Sequence, residues 1–316
     1  MTFDNPMGGA LVMLEQLDGR SMKTFVTVME EKSFSKAALK LGYVQSTVTM
    51  HILQLEQTLG QALFTRLPRG VELTAAGREV APFAYRFLQL GESLQEKLTG
   101  LQEPKGVVRL RALESFCVPH LPMMLPTLFE QFPHIQLQLE TGFQRDIIQE
   151  VSAYRVDLGI VPRDPKVRNL TFIPLLADEL VWVGAPALVK RIELEGWEAI
   201  AQTQVIGFGS RCIYQSLASQ VLMTDKGLST FTEMAFDSTE MLKQTMMCGM
   251  GLSLLPVTAV QKELEAGQLL RVASETAIPL EHGLIHRAGK ELSAPVEACK
   301  SHILAYFSNE LHTSRG

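Results

Sequence analysis

The chain has 316 residues, of which 46% are hydrophobic and 20% are charged, so it is long enough for roughly two or three domains and is not extensively disordered. Its net charge of -5 argues against a protein coated uniformly with nucleic acid. No apolar run approaches the roughly 18 residues that span a bilayer, and the first residues lack the basic start and apolar core of a signal peptide. We therefore expect a cytoplasmic protein without a membrane partner.

The charge is distributed unevenly along the chain. Between Asp18 and Arg78 there are eight basic and five acidic residues, a net charge of +3, whereas the remainder is acidic. The basic excess therefore lies at the amino-terminal end.

Two short helices are predicted near the amino terminus. Apolar residues recur at helical spacing from Met22 to Met29, and Ser33 or Ser35 supplies a cap for the second helix. Gly42 ends that helix, because glycine readily adopts the left-handed conformation at a helix end.

A third helix is predicted from about Ser46 to Leu59. Its apolar residues recur at i, i+4, i+7 and i+11 from Val48, so one stripe faces the core and the opposite face is mostly polar and uncharged. Two β-prone runs then flank a turn that contains Arg69, with Arg66 close to it. This order is typical of a winged helix-turn-helix and, on spacing alone, equally of an ordinary helical hairpin.

A long helix follows the second β-prone run. Thr74 is its predicted cap, Pro82 and Gly91 indicate a kink or weak point rather than a break, and Glu103 to Gly106 form a hinge. A mostly apolar stripe along this helix suits either pairing with a second copy or burial against the same chain. The stripe consists of Val80, Phe83, Phe87, Leu90, Leu94 and Leu98.

From Gly106 onward, predicted strands alternate with predicted helices in two successive cycles. One helix is expected from Leu121 to Phe132, one strand from Leu180 to Ala185, and a terminal helix from about Ser293. Alternation of this kind predicts parallel sheet in α/β layers, and two cycles imply two lobes with a cleft between them.

Little in the chain predicts catalysis. The four cysteines, Cys117, Cys212, Cys248 and Cys299, form no C-x-x-C pair, and we expect free thiols packed as small hydrophobic groups. The segment around Ser210 is not a G-x-S-x-G elbow, and the seven histidines form no metal-spaced pair. We predict that the protein is not an enzyme and has neither a metal site nor a cofactor.

The amino-terminal segment resembles the DNA-binding domain of the LysR-type transcriptional regulators, a bacterial family. The matching residues are Phe34, Ala37, Ala38, Leu41, Gln45, Val48, Ile52, Leu55, Glu56, Leu59, Gly60, Leu63, Phe64, Arg66, Leu73, Thr74 and Gly77. The segment GMGLSLLP, from Gly249 to Pro256, resembles a second mark of the family near the end of its effector domain. Together the two segments extend the resemblance from about residue 17 to 310.

The resemblance implies three parts and their partners. These are a winged helix-turn-helix over 17–75, a dimerising linker helix with its hinge over 76–105, and a periplasmic-binding-protein-like effector domain over 106–310. The effector domain has two α/β subdomains, the second at roughly 185–282. Binding to double-stranded promoter DNA and to a small-molecule effector is implied, usually as a homodimer or homotetramer. The first sixteen residues lie outside the pattern and are either a disordered tail or a consequence of the start-codon choice.

The polar face of the third helix and the resemblance together predict the DNA-binding residues. Those expected in or beside the major groove are Gln45, Ser46, Thr47, Thr49, Met50 and Gln54, and those expected at phosphates are Lys36, Arg66 and Arg69. The family commonly has Pro and Arg where this chain has Ser46 and Met50. Because no Arg or Lys lies on the reading face, we expect an A·T-rich site with dyad symmetry.

The strand-to-helix turns of the second region predict the effector site. Hydroxyl groups follow three predicted strands, and the family contacts its effector from these turns; the candidates are Ser115, Ser210, Arg211, Ser238 and Thr239. Each serine is equally well explained as a helix cap. Arg211 beside Ser210 favours a small organic anion, such as an aromatic or aliphatic carboxylic acid or an amino acid.

Two alternatives remain open at the level of sequence. One is a regulator driven by cysteine oxidation, for which Cys212 and Cys248 lie in the expected second subdomain, widely separated along the chain. The other is a solute-binding protein or enzyme that uses the cleft, which the lack of a signal peptide and of catalytic motifs disfavours.

Overall fold

The computed structural model describes residues 17–68, 70–99, 103–228, 230–273, 275–289 and 291–313. Predictions for the first sixteen residues, for Arg69 and for the side chain of Leu98 lie outside this part of the chain. The described chain forms two compact units: the first extends to residue 99 and includes 153–155, and the second holds the rest. No helix in the described ranges is long and apolar enough to cross a membrane.

The first unit is a helical domain with a two-stranded hairpin. Its elements are α1 (Gly19–Glu31), α2 (Phe34–Leu41), α3 (Gln45–Leu59), β1 (Phe64–Leu67), β2 (Gly70–Leu73) and α4 (Ala75–Thr99). Ser33 caps α2, since its side chain accepts a hydrogen bond from the Lys36 N–H, and Gly42 ends that helix at φ 70°. The predicted winged helix-turn-helix is therefore confirmed.

The linker helix α4 begins where the sequence predicts. The Thr74 hydroxyl accepts a hydrogen bond of 2.9 Å from the Gly77 N–H, and the helix continues through Pro82 and Gly91. Gly77 has a separate role, because a Cβ there would approach the Leu63 carbonyl oxygen to 2.2 Å. Because Gly77 has no side chain, the start of α4 can pack closely against the segment that leads into the hairpin.

The second unit is an α/β domain. Its first seven elements are β3 (Gly106–Ala112), α5 (Glu114–Gln131), β4 (Ile135–Thr141), α6 (Gln144–Ser152), β5 (Leu158–Val161), β6 (Leu170–Gly184) and α7 (Pro186–Glu195). After a 3-10 helix (Trp197–Gln202) come β7 (Gln204–Gly207), α8 (Ile213–Thr224), β8 (Thr232–Ala235), α9 (Thr239–Met247), β9 (Gly251–Pro256), α10 (Val257–Glu265), β10 (Leu270–Arg271), β11 (Ile278–Arg287) and α11 (Ala294–Thr313).

The strands described in this unit form one nine-stranded mixed sheet in the order β4-β3-β5-β11-β6-β9-β7-β8, with β10 paired to β6. Strands β4, β3 and β5 are parallel, as are β8, β7 and β9, so each half has the predicted parallel core. Strands β6 and β11 join the halves as a long antiparallel pair, which the alternation of strands and helices did not predict.

Two element boundaries also differ from the sequence prediction. Helix α5 begins at Glu114 rather than Leu121, and it accommodates three prolines, a residue type that normally indicates a break in a helix. Strand β6 runs for 15 residues, whereas the sequence predicts a strand only from Leu180. Its first part was not predicted, because Asp178 and Glu179 interrupt the apolar pattern that normally indicates a strand.

A cluster of polar side chains is buried among apolar ones between α5 and the β6–β11 pair. His282 lies 1% exposed with its Nε2 atom 3.8 Å from Asp178 Oδ2, and the His120 ring packs on Phe116. Burial, with a contribution from the nearby His282, lowers the pKa of His120 to about 4. Burial acts to raise the pKa of Asp178, but the nearby His282 ring and hydrogen bonds from the Thr258 hydroxyl and the Glu179 N–H outweigh it and lower that pKa.

We expect the second unit to lose stability as the pH falls from 6.5 towards about 4, because an unfolded chain then protonates His120 and the folded chain does not. The loss should be about 1 to 2 kcal/mol, allowing for partial solvent screening. Urea unfolding across this pH range should show a smaller pH dependence for His120→Gln. His134→Gln, at an exposed position, is the control, and an unchanged slope in His120→Gln would contradict the assignment.

Candidate functional site

The first candidate surface is the outward face of α3. Val48, Ile52 and Leu55 are buried in the core of the first unit, so the side of α3 opposite them is open to solvent. That side forms a shallow depression lined by Gln45, Ser46, Thr49, Met50, Leu53, Gln54 and Gln57. Thr47 is half-buried and does not line it. Leu53 is 51% exposed but was not among the predicted residues, because those were selected mainly for their polar side chains.

Two contacts fix the start of α3. The Ser35 hydroxyl donates a hydrogen bond of 2.8 Å to the Gln45 side-chain oxygen, which joins Gln45 to α2. The Thr49 hydroxyl donates to the Gln45 carbonyl oxygen at 3.0 Å, within the same helix. The Gln45 side chain therefore has a partner within the first unit while it remains exposed.

A buried histidine joins α3 to α1. His51 is 8% exposed, its Nδ1 atom lies 3.0 Å from the Thr24 hydroxyl of α1, and Tyr43 packs edge-on against its ring. His51 was not among the predicted site residues, because its position beside the apolar stripe is its only local signal. This contact fixes the orientation of the α3 surface relative to the rest of the first unit.

Basic side chains on the neighbouring elements of the first unit differ in their contacts. Lys36 at the start of α2 and Arg66 on β1 are exposed, and the Arg66 guanidinium lies 5.7 Å from the centre of the Phe34 ring. Lys40, in contrast, is paired with Glu31 at 2.8 Å. The side chains of Lys36 and Arg66 are therefore more available to bind an anionic partner than that of Lys40.

The second candidate site is a cavity of about 280 Å³ within the second unit. It is lined by Arg111, Leu113, Glu114, Ser115, Thr141, Gly142, Phe143, Asp146, Phe208, Arg211, Cys212, Tyr214 and Asp237. Arg111 and Thr141 lie at the ends of β3 and β4, and the other residues belong to the turns or helix starts that follow β3, β4, β7 and β8, at the carboxyl ends of parallel strands. Such ends are where open α/β sheets bind ligands.

The structure brings two of the predicted effector residues to this cavity. Ser115 is 3% exposed near the start of α5, and Arg211 reaches the cavity from the turn before α8. Ser210 is exposed, Ser238 precedes α9 without a side-chain capping bond, and Thr239 is buried; none of these three lines the cavity.

Arg211 already has partners across the cavity. Its guanidinium lies 4.6 Å from the centre of the Phe143 ring, and its Nη1 atom is 3.9 Å from Asp146 Oδ2. The side chain remains 71% exposed, so these contacts are weak and a ligand can compete for the guanidinium.

Tyr214 is the most deeply buried polar side chain of the lining. It is 2% exposed, and its hydroxyl has no hydrogen-bond partner among the described residues. Burial raises the pKa of Tyr214 well above its usual value, and the Ser115 side chain only partly opposes this effect. The group is therefore a neutral hydroxyl with unused hydrogen-bonding capacity, which sequence analysis missed because nothing local distinguishes Tyr214 from a core residue.

All four cysteines are free thiols. Burial raises the pKa of both Cys117 and Cys299 to about 12. Burial also raises the pKa of Cys212, although the N–H groups of Gln215 and Tyr214 oppose it. Cys248 is the exposed one.

A winged helix-turn-helix with exposed basic side chains, followed by an α/β domain with a cavity at the carboxyl ends of parallel strands, defines a DNA-binding regulator that has a small-molecule-binding domain. The family model described as "Bacterial regulatory helix-turn-helix protein, lysR family" matches residues 20–78, and "LysR substrate binding domain" matches residues 101–308. The chain belongs to the LysR family of transcriptional regulators.

Individual relatives agree with this assignment. The chain is 31% identical over 253 residues to the HTH-type transcriptional regulator YusT of Bacillus subtilis (strain 168), covering 80% of this chain and 83% of YusT. Its fold is similar to that of ArgP from Mycobacterium tuberculosis, with a TM-score of 0.73, 19% identity and coverage of 93% and 98%. A full-length OxyR variant from Pseudomonas aeruginosa gives a TM-score of 0.70, 19% identity and coverage of 92% and 94%.

Proposed function

We propose that this regulator acts in the cytoplasm, reads one promoter sequence through α3, and changes its action when a small organic carboxylate occupies the cavity of the second unit. The proposal rests on the juxtaposition of Arg211 with the buried Ser115 and Tyr214 at the carboxyl ends of parallel strands. The guanidinium offers a bidentate grip on a carboxylate, and two neutral hydroxyls offer further hydrogen bonds.

The α3 surface favours recognition of A·T-rich DNA. Gln45, Ser46, Met50 and Gln54 are its exposed predicted residues, and none is charged. An amide pairs best with adenine, whereas methionine and Leu53 provide apolar contact for the thymine methyl group. Lys36 and Arg66 are exposed, and in this proposal they bind phosphates and set the register without reading bases.

Gln45→Ala should reduce the preference for the operator over unrelated DNA by about 1 to 3 kcal/mol, because it removes a base contact. Arg66→Ala should weaken all DNA alike and lower the slope of affinity against salt by about 1. The operator can be selected from random duplexes, and fluorescence anisotropy at several salt concentrations measures both quantities. Gln61→Ala, at an exposed position outside the α3 surface, is the control. Equal losses on operator and unrelated DNA in Gln45→Ala would rule out the base contact.

The linker helix favours assembly through α4. Phe83 is 64% exposed, Phe87 41%, Leu90 69% and Leu94 58%, whereas Val80 is partly buried in the core of the first unit. Exposed apolar residues at this spacing form a stripe that a second α4 would cover. A two-fold DNA site requires such a symmetric pair.

Leu90→Glu combined with Phe83→Glu should therefore convert the protein to monomer at micromolar concentration, because buried unpaired carboxylates oppose association. Analytical ultracentrifugation provides the measurement. The control is Leu194→Glu, an equally apolar residue that is 87% exposed on α7. A monomeric parent protein, or a double variant that assembles as the parent does, would exclude pairing through α4.

A carboxylate at roughly a hundred times its dissociation constant should stabilise the protein by about 2.7 kcal/mol, provided that it does not bind the unfolded chain. A thermal-shift screen of carboxylates, amines and neutral metabolites should find such a ligand. The shift should disappear in Arg211→Ala and persist in Arg271→Ala, an exposed arginine outside the cavity lining. Hits that are all neutral or cationic, or carboxylate shifts that survive in Arg211→Ala, would refute the carboxylate site.

Control by cysteine oxidation is the alternative mechanism. Cys212 lines the cavity just before α8, and this position favours oxidation as the control. Burial raises the pKa of the Cys212 thiol, however, and therefore disfavours the reactive thiolate. Titration of free thiols before and after peroxide treatment separates the two mechanisms, since ligand sensing leaves the number of thiols unchanged. A purely solute-binding role does not account for the winged helix-turn-helix.

A further inference from the structure

The cavity has an excess of negative charge that a simple carboxylate does not satisfy. Its lining includes three carboxylates, Glu114, Asp146 and Asp237, and two guanidiniums, Arg111 and Arg211. Arg111 forms an ion pair with Glu150, which lies outside the lining, and its Nε–H donates to the Thr141 carbonyl oxygen at 3.2 Å. Among the lining residues, Arg211 is therefore the one guanidinium left to balance the three carboxylates.

One position that would attract an anion is already occupied by the protein itself. The first N–H of α9, from Thr239, donates a hydrogen bond of 3.1 Å to Glu114 Oε1. Glu114 begins α5 in the first half of the sheet, whereas α9 belongs to the second half, so this carboxylate reaches across the cavity. An incoming anion is thus excluded from the α9 terminus unless it displaces Glu114.

Building on the carboxylate site proposed above, we propose that the effector is an α-amino acid or a similar zwitterion, with its carboxylate on Arg211 and its ammonium group balanced by Glu114, Asp146 and Asp237. When a ligand carboxylate takes Arg211, Asp146 loses its cationic partner, and the ligand ammonium replaces it. A cavity of about 280 Å³ is large enough for an amino acid.

The test uses matched sets of three probes on the full chain. Each of the common amino acids is compared with the acid that lacks its amino group and the amine that lacks its carboxylate; one such set is phenylalanine, 3-phenylpropionate and 2-phenylethylamine. Thermal shift followed by titration calorimetry gives the affinities. At least one amino acid should bind about tenfold or more tightly than both of its counterparts, because each counterpart leaves a charged group of the cavity unpaired.

Replacing a cavity carboxylate with the neutral amide of similar shape tests whether the carboxylates bind the ammonium group of the ligand. Asp146→Asn and Asp237→Asn should weaken the amino acid about tenfold while leaving the acid that lacks an amino group equally or more tightly bound. Asp164→Asn, which removes an exposed carboxylate paired with Lys166 outside the cavity, should change neither affinity. A loss of folding would weaken both probes together, so the altered preference distinguishes charge recognition from structural damage.

The outcomes separate this proposal from the one on which it rests. If an acid without an amino group binds as tightly as its amino acid, and its binding is lost in Arg211→Ala, the proposal of a zwitterionic effector is wrong and the proposal of a carboxylate site stands. If no amino acid binds, the zwitterion is equally wrong. If amino acids bind undiminished to Arg211→Ala, or amines bind as tightly as amino acids, the carboxylate site itself fails.

Discussion

The antiparallel pairing of β6 with β11 is the constraint on which the effector domain depends. The two strands remain paired from Leu180 opposite Ile278 to Leu170 opposite Arg287, with one shift of register between His282 and Gly283. At that shift a side chain on Gly283 would approach the Phe172 ring to 2.2 Å, so only glycine fits. Strand β11 continues into the first half through β5, and β6 into the second through β9. The cavity exists because this pair holds both halves in one sheet.

The same two strands bring polar groups into the interior. Asp178 on β6 and His282 on β11 are almost fully buried, and the Thr258 hydroxyl donates to Asp178 Oδ2 at 2.6 Å. Phe116, one residue after the cavity-lining Ser115, packs on the His282 ring. The start of α5 therefore faces the cavity on one side and this buried polar cluster on the other, so the two regions share one structural support.

Local signals in the sequence predict the DNA-binding domain well, because its elements are defined by caps and short-range periodicity. Ser33, Gly42 and Thr74 each perform the role that their residue type favours. The β6–β11 crossing could not be predicted in this way, since pairing between residues about a hundred positions apart leaves no local pattern. Of the cavity, the sequence led to Ser115 and Arg211, which follow strands, but not to Tyr214 or Asp146, whose approach depends on tertiary packing.

The contact between His51 and Thr24 joins α3 to α1 within the first unit. Ala84 of α4 is buried in the same core as Phe25 of α1 and Ile52 of α3, so the three helices pack on one another. Helix α4 has 25 residues and is therefore roughly 37 Å long. If two copies join through α4, a change of about 10° in the angle between their helices displaces one end by roughly 6 Å. Because two half-sites on B-form DNA are about 34 Å apart, a displacement of that size in such a pair would change whether both α3 helices reach the major groove together.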